Sequence, residues 1–149
     1  MIVLDADVLL IDIRYPQDAR FARNRQFLDR LKTESVAAGI TSGTLLEVIG
    51  VLSFNLSAAH IAPLMNLLPL QYNLVVLPDL QHHPDYAGCT NVELVQQMST
   101  QMALGDAVSA LQVAKFVPGA THLVSWNARH FRGKLAVPAM TPDEWLLLP

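Results

Sequence analysis

The side chains best placed for chemistry are carboxylates with small polar companions. Asp5 and Asp7 close an apolar run, Ser42 and Glu47 open an amphipathic stretch, Asp106 heads another, and Ser125 and Asn127 follow Leu123-Val124. Carboxylates gathered without a Lys or Arg between them repel one another, and a divalent cation is the simplest way to hold them together. Hard oxygen donors suit Mg²⁺ or Mn²⁺ rather than zinc. Taken singly, each acid also has a structural explanation: Asp5 as a strand-ending turn residue, Asp106 as a helix N-terminal acid, Glu47 as an exposed helix position. Asp5-Ala6-Asp7 after a strand recurs in several metal-dependent phosphatases and transferases, so only the combination is specific.

Such residues need a scaffold that brings distant segments together. Ile2-Val3-Leu4 ending at Asp5 has the pattern of a buried parallel strand. A helix is expected from Gln17 to Lys32 with Phe21, Leu28 and Leu31 inward, then a strand from Val36 to Ile40. Thr41-Ser42 offers an N-cap for a helix with Leu45, Val48, Ile49 and Leu52 on one face and Glu47 opposite. Ser57 to Leu70 reads as a helix broken at Pro63, and Leu74 to Leu77 as a strand ended by Pro78. Residues 79–90 form an expected loop. Helices follow at about 91–102 and 106–117, the second burying Ala107, Ala110, Leu111 and Ala114. A strand from His122 to Ser125, a turn at Asn127–His130, a strand near Ala136-Val137 and a helical turn from Pro142 complete the pattern. Strands alternating with helices imply a parallel sheet covered on both faces, and such sheets deliver ligand-binding residues at the carboxyl ends of their strands.

Composition narrows the function classes. The chain has 149 residues, 52% apolar and 15% charged, so a single folded domain is expected over 1–149, with apolar surface left for a second copy. The opening Met1-Ile2-Val3-Leu4 lacks the basic region of a signal peptide, and no apolar run is long enough for a membrane span. With one cysteine, Cys89, no internal disulfide or Cys-based zinc site forms, and the expected compartment is the cytoplasm. Net charge is −3, yet Arg14 to Lys32 holds six basic residues against two acids, leaving one basic segment in an acidic protein. That segment is either a solvated helix face or a phosphate-contacting one.

Four stretches together resemble the ordered motifs of PIN domains. They are Val3-Leu4-Asp5-Ala6-Asp7-Val8-Leu9-Leu10, Thr41-Ser42-Gly43-Thr44-Leu45-Leu46-Glu47, Gly105-Asp106-Ala107, and Leu123-Val124-Ser125-Trp126-Asn127-Ala128-Arg129-His130-Phe131. Thr141-Pro142-Asp143-Glu144-Trp145-Leu146 also resembles the tail of bacterial members. The resemblance spans nearly the whole chain. It implies a three-layer α/β/α PIN-like fold with a central, mainly parallel sheet of four to five strands. It further implies Mg²⁺- or Mn²⁺-dependent hydrolysis of RNA and, as in many bacterial single-domain members, a VapC-type toxin with an antitoxin partner.

By that resemblance Asp5, Glu47 and Asp106 fall on acidic metal-binding positions, and Ser42 and Ser125 on small hydroxyl positions. Asp7 stands where a small polar residue is common. Asn127 replaces a fourth acid found in many members, which implies one well-held ion and at most a weak second. Asn127 and Ser125 would position water or phosphate. Carboxylate-held ions can activate water and stabilise phosphoryl charge, so the residue chemistry agrees with this assignment. Arg14, Arg20, Arg23, Arg25, Arg129 and Arg132 are the expected contacts to the RNA backbone.

Two rivals belong to other classes. A haloacid-dehalogenase-type phosphatase shares a strand followed by DxD, but Leu9 stands where it needs Thr or Val and no paired acids follow Lys115. A non-catalytic PIN-like module binding RNA or protein is compatible with Asn127. Elsewhere, adjacent histidines in His82-His83-Pro84-Asp85 share one ion poorly, Cys89 has no activating neighbour, and His130 and Trp126 are read as bracing and packing residues.

Overall fold

In the computed structural model, which describes residues 1–82 and 88–149, β1 (Ile2–Leu4) pairs in parallel with strands on both sides. β2 (Ala38–Thr41) sets Ile40 opposite Leu4, β3 (Val75–Leu77) lies beyond it, and β4 (His122–Val124) sets Val124 opposite Leu4 from the other side. β5 (Ala139–Met140) completes the order β3-β2-β1-β4-β5. The sheet therefore has five strands, all parallel.

These strands are apolar on both faces because helices cover both. Ile2, Leu4, Ile40 and Val124 join a core with Val8 and Leu9 of α1 (Ala6–Arg14), Phe27 and Leu31 of α2 (Phe21–Thr33), Leu45 and Val48 of α3 (Ser42–Ser53), and Trp145. α4 (Ala58–Ile61) and α5 (Leu64–Tyr72) flank it, divided at Ala62-Pro63 as expected. Val3 and Leu123 point the other way, into a core with Ala107, Ala110 and Val113. α6 (Asn91–Met98) and α7 (Leu104–Phe116) build that side, and α8 (Pro142–Leu146) carries Trp145 back onto α2.

The structure corrects several sequence expectations. α1 answers to no element expected from the sequence, because apolar residues at Val8, Leu9, Leu10, Ile11 and Ile13 hide the period of a helix packed on several sides. α2 begins at Phe21, and its inward stripe is Asn24, Phe27 and Leu31. α6 ends at Met98, while α7 opens two residues before Asp106, leaves Ala114 exposed and buries Gln112 and Val113 instead. β5 lies three residues after Ala136-Val137. Of His82-His83-Pro84-Asp85, only His82 falls within the described residues, paired to Asp79 at 2.6 Å. No helix among the described residues is long and apolar enough to cross a membrane.

Candidate active site

Parallel, in-register strands end side by side, so Asp5 after β1, Ser42 after β2 and Ser125 after β4 share one edge of the sheet. The Asp5 amide donates to the Val124 carbonyl at 3.0 Å, which levels the first and last of these. Ser125 Oγ lies 2.7 Å from Asp5 Oδ2 and 3.0 Å from Asp7 Oδ2. A hydroxyl has one proton, so it serves the two carboxylates by turns. The Asn127 backbone N–H faces Asp7 Oδ2 and Ser125 Oγ, 3.0 Å from each. Asp7 Oδ1, in contrast, is buried without a hydrogen-bond partner among the described residues.

Glu47 and Asp106 reach this edge through the packing of α3 on α7. Thr41 caps α3, its hydroxyl accepting from the Thr44 N–H at 3.1 Å. Buried Gln112 then bridges the helices, accepting from the Gly43 N–H at 2.8 Å and donating to Ser42 Oγ at 2.9 Å. A Cβ on Gly43 would stand 2.8 Å from Val108 Cγ1 and 2.9 Å from Gln112 Oε1, so this close approach requires glycine. Further along, Glu47 comes over the start of α7: a Cβ on Gly105 would lie 3.6 Å from Glu47 Oε2. Asp106 Oδ2 is 3.2 Å from Nδ1 of His130, in the 3-10 turn Ala128–His130.

Crowding among acids sets the electrostatics. Burial, then the Asp7 charge and more weakly Glu47, push the Asp5 carboxyl up to about 7 against hydrogen bonds from Ser125 and the Ala6 amide. Asp7 is also raised by burial, opposed by donors from Trp126, Ser125 and Asn127 and by the charge of Arg20. Burial, Asp106 and Asp7 raise Glu47. Each shift marks a carboxylate short of positive charge.

The donor set fits a hard divalent cation. All four acids offer oxygens, and the partnerless Asp7 Oδ1 is a buried acceptor of the kind a cation satisfies. Among the described residues no three Asp, Glu, His or Cys side chains close around a single point. A Mg²⁺ ion takes one or two carboxylates directly and fills its remaining positions with water and phosphate, so the other acids would act through bound water.

The sequence-predicted residues divide into groups. Asp5, Asp7 and Ser125 are in mutual contact, and Asn127 joins them through its backbone. Glu47 and Asp106 stand across from them within electrostatic reach. Ser42 turns into the α3–α7 interface, where it orients the helix. Gln112 and Gly43 were not singled out from the sequence; a glycine just inside the helix cap was the only trace of this lock.

The arginines behave differently from a free basic face. Arg14 bonds the Val51 carbonyl, Arg23 pairs with Asp143 at 2.8 Å, Arg25 with buried Asp12 at 3.0 Å, and Arg132 with Glu144. Arg20 grips Asp18 through two nitrogens at 2.9 and 2.7 Å while lying over the Trp126 ring. The indole is itself fixed by a 2.8 Å bond from Nε1 to buried Asn24. Arg129 is exposed and has neither ion pair nor hydrogen bond among the described residues.

No protein-family model matches the sequence, and no curated protein matches it. Solved structures do. A chain in the structure of FitAB bound to an IR36 DNA fragment matches at TM-score 0.60 and 16% identity, covering 95% of both chains. A chain of VapBC2 from Rickettsia felis, bound to a DNA fragment from their promoter, matches at TM-score 0.58 and 16% identity, covering 94% of this chain and 99% of that one. The fold is PIN-like. The five-stranded, all-parallel sheet between helical layers is the architecture that the motifs implied.

Proposed function

We propose that this chain is a divalent-metal-dependent endoribonuclease and the toxin of a toxin–antitoxin pair. One observation carries the nuclease assignment: four acids lie within electrostatic reach of one another at the carboxyl ends of a parallel sheet, and one of their buried oxygens lacks a hydrogen-bond partner among the described residues. Asp5, Asp7, Glu47 and Asp106 would hold Mg²⁺ or Mn²⁺, which when bound supplies an activated water and charge for the phosphoryl oxygens. The chain's own groups then set the stage. Ser125 keeps Asp5 and Asp7 together, the Asn127 amide fixes Asp7, and the Gln112 bridge holds the helix that carries Glu47. A phosphatase of the haloacid-dehalogenase type needs a lysine beside its nucleophilic Asp, whereas Lys115 is committed to Glu93 at 2.8 Å.

The antitoxin partner is supported by FitAB and VapBC2, two-component assemblies bound to DNA in those structures. A homodimer is supported by exposed apolar side chains at the end of α3 and on α5, where Phe54 is 87% and Leu70 76% exposed. The compartment we infer with an RNA substrate is the cytoplasm. Cleavage of a labelled single-stranded RNA, assayed with Mg²⁺, Mn²⁺ and EDTA, tests the activity. Cleavage confined to the metal-containing reactions and lost in Asp5→Asn and Asp106→Asn is expected. Equal cleavage in EDTA, or full activity in both variants, would refute it. Light scattering tests the dimer, and a concentration-independent monomer would exclude it.

A further inference from the structure

We propose that the protein grips RNA at the scissile phosphate and its immediate neighbour through two arginines, Arg129 and Arg20, and that Asp18 restrains the second. This inference rests on the ribonuclease assignment and refines its substrate contact. A polyanion needs cations near an acidic site, and most cations of this chain are already committed. Arg23, Arg25, Arg30, Arg132 and Lys115 pair with acids, while Arg14 and Lys134 bond backbone carbonyls. Among the described residues, Lys32 and Arg129 alone have neither kind of partner. Lys32 lies in the last turn of α2, beside Leu31, Asn73 and Leu74 and away from the acids.

Arg129 is the reverse case. It lies between Asn127, whose amide touches Asp7, and His130, whose ring reaches Asp106. Its segment therefore spans the acidic edge, and its guanidinium is exposed with all five donors unspent. Arg20 approaches from the Asp7 side, lying 5.8 Å above the Trp126 ring. Trp126 follows Ser125 in the chain and is held by Asn24, so Arg20 rests on a fixed platform within the site. Asp18 accepts from two of its guanidinium nitrogens and from its backbone amide. A phosphate must compete with that carboxylate, which makes Asp18 a brake on binding.

Two contacts predict weak salt dependence, because single-stranded binding loses about 0.7 logarithmic units of affinity per decade of salt for each phosphate neutralised. The test uses fluorescence anisotropy of a labelled oligouridylate with the Asp106→Asn protein in Mg²⁺, at several NaCl concentrations. A slope of about −1.4 is expected, falling to about −0.7 in Arg129→Gln and in Arg20→Gln. Asp18→Asn should tighten binding several-fold, a gain that a purely structural loop staple would not give. Arg23→Gln and Arg25→Gln should leave affinity unchanged. The grip is overturned if Arg129→Gln binds as the parent does, if Arg23→Gln weakens binding as much as Arg129→Gln, or if no saturable binding occurs. Metal-dependent cleavage by the unaltered protein is read separately, so the ribonuclease assignment survives or fails on its own.

Discussion

The acidic edge of the sheet and the basic face of α2 hold similar numbers of charges and treat them in opposite ways. On α2, Arg23, Arg25 and Arg30 each meet an acid, and Asp12, 4% exposed, also accepts from the Tyr72 hydroxyl at 2.6 Å. At the sheet edge burial raises the pKa of Asp5, Asp7 and Glu47 alike, and the charge of Asp7 adds to the rise at Asp5 and at Glu47. One region has spent its charge on folding. The other holds charge in reserve, and in the function proposed above a cation from outside the chain neutralises it. Removing an acid should therefore have opposite consequences in the two places.

The largest expected effect is on catalysis. Asp5→Asn should lower RNA cleavage by about a hundredfold or more, the scale on which losing one group that stabilises developing charge acts. The same change should raise the metal-free melting temperature by about 2–4 °C, as expected for a gain of about 1 kcal/mol in a chain of this size. A metal-dependent thermal shift equal to that of the parent protein would remove Asp5 from the site.

Acidity is the next lever. Folded Asp5 titrates near 7 and the unfolded residue near 3.8, so between these values the folded state binds the extra proton. Stability of the metal-free protein should then fall as pH rises across that window, by up to about 1.4 kcal/mol per pH unit. Urea midpoints measured from pH 4 to 8 in EDTA check the sign, and Mg²⁺ should flatten the decline. Stability rising with pH through this range would mean that the carboxylates are not short of charge.

On the paired face the sign reverses. Asp12→Asn strips buried Asp12 of its charge between Arg25 and Tyr72 and should destabilise by about 1–3 kcal/mol in urea unfolding. Stabilisation there would erase the contrast between the two regions. Comparable in size is Asn127→Asp, which adds a charge beside the acids: about 2 kcal/mol toward a divalent ion at about 4 Å in water, hence Mn²⁺ affinity improved about thirtyfold by calorimetry. Unchanged affinity would turn the Asn127 side chain away from the metal. Arg23→Gln, breaking a half-exposed pair with Asp143, should shift stability by no more than about 0.5 kcal/mol.

The same contrast marks what a single sequence makes legible. Acids at strand ends could be read because parallel topology carries every strand terminus to one edge, wherever it lies in the chain. Pairings such as Arg23 with Asp143 or Arg132 with Glu144 are set by where α8 packs, and nothing in local spacing announces them. Asn24 gave a polar signal at an inward position, since its value lies in bonds to the Val8 carbonyl and Trp126 rather than in apolarity. β5 is two residues long and takes its place from the ladder, where Leu123 donates to Pro138 and Ser125 to Met140, so no periodicity existed to find it.

The close seat of Gly43 against Val108 and Gln112 reaches beyond helix packing. Glu47 and Asp106 are mounted on two rigid bodies bolted at that point, so the gap between their backbones is set by the joint. Only their side-chain rotations remain to adjust it. Under the metal assignment proposed above, a gap of fixed width would act as a gauge for ionic radius, admitting an ion of one size and straining the contacts of a larger one. Loosening the joint with Gln112→Ala would relax that gauge, and the preference between Mg²⁺ and the larger Ca²⁺ would narrow without any change to a carboxylate.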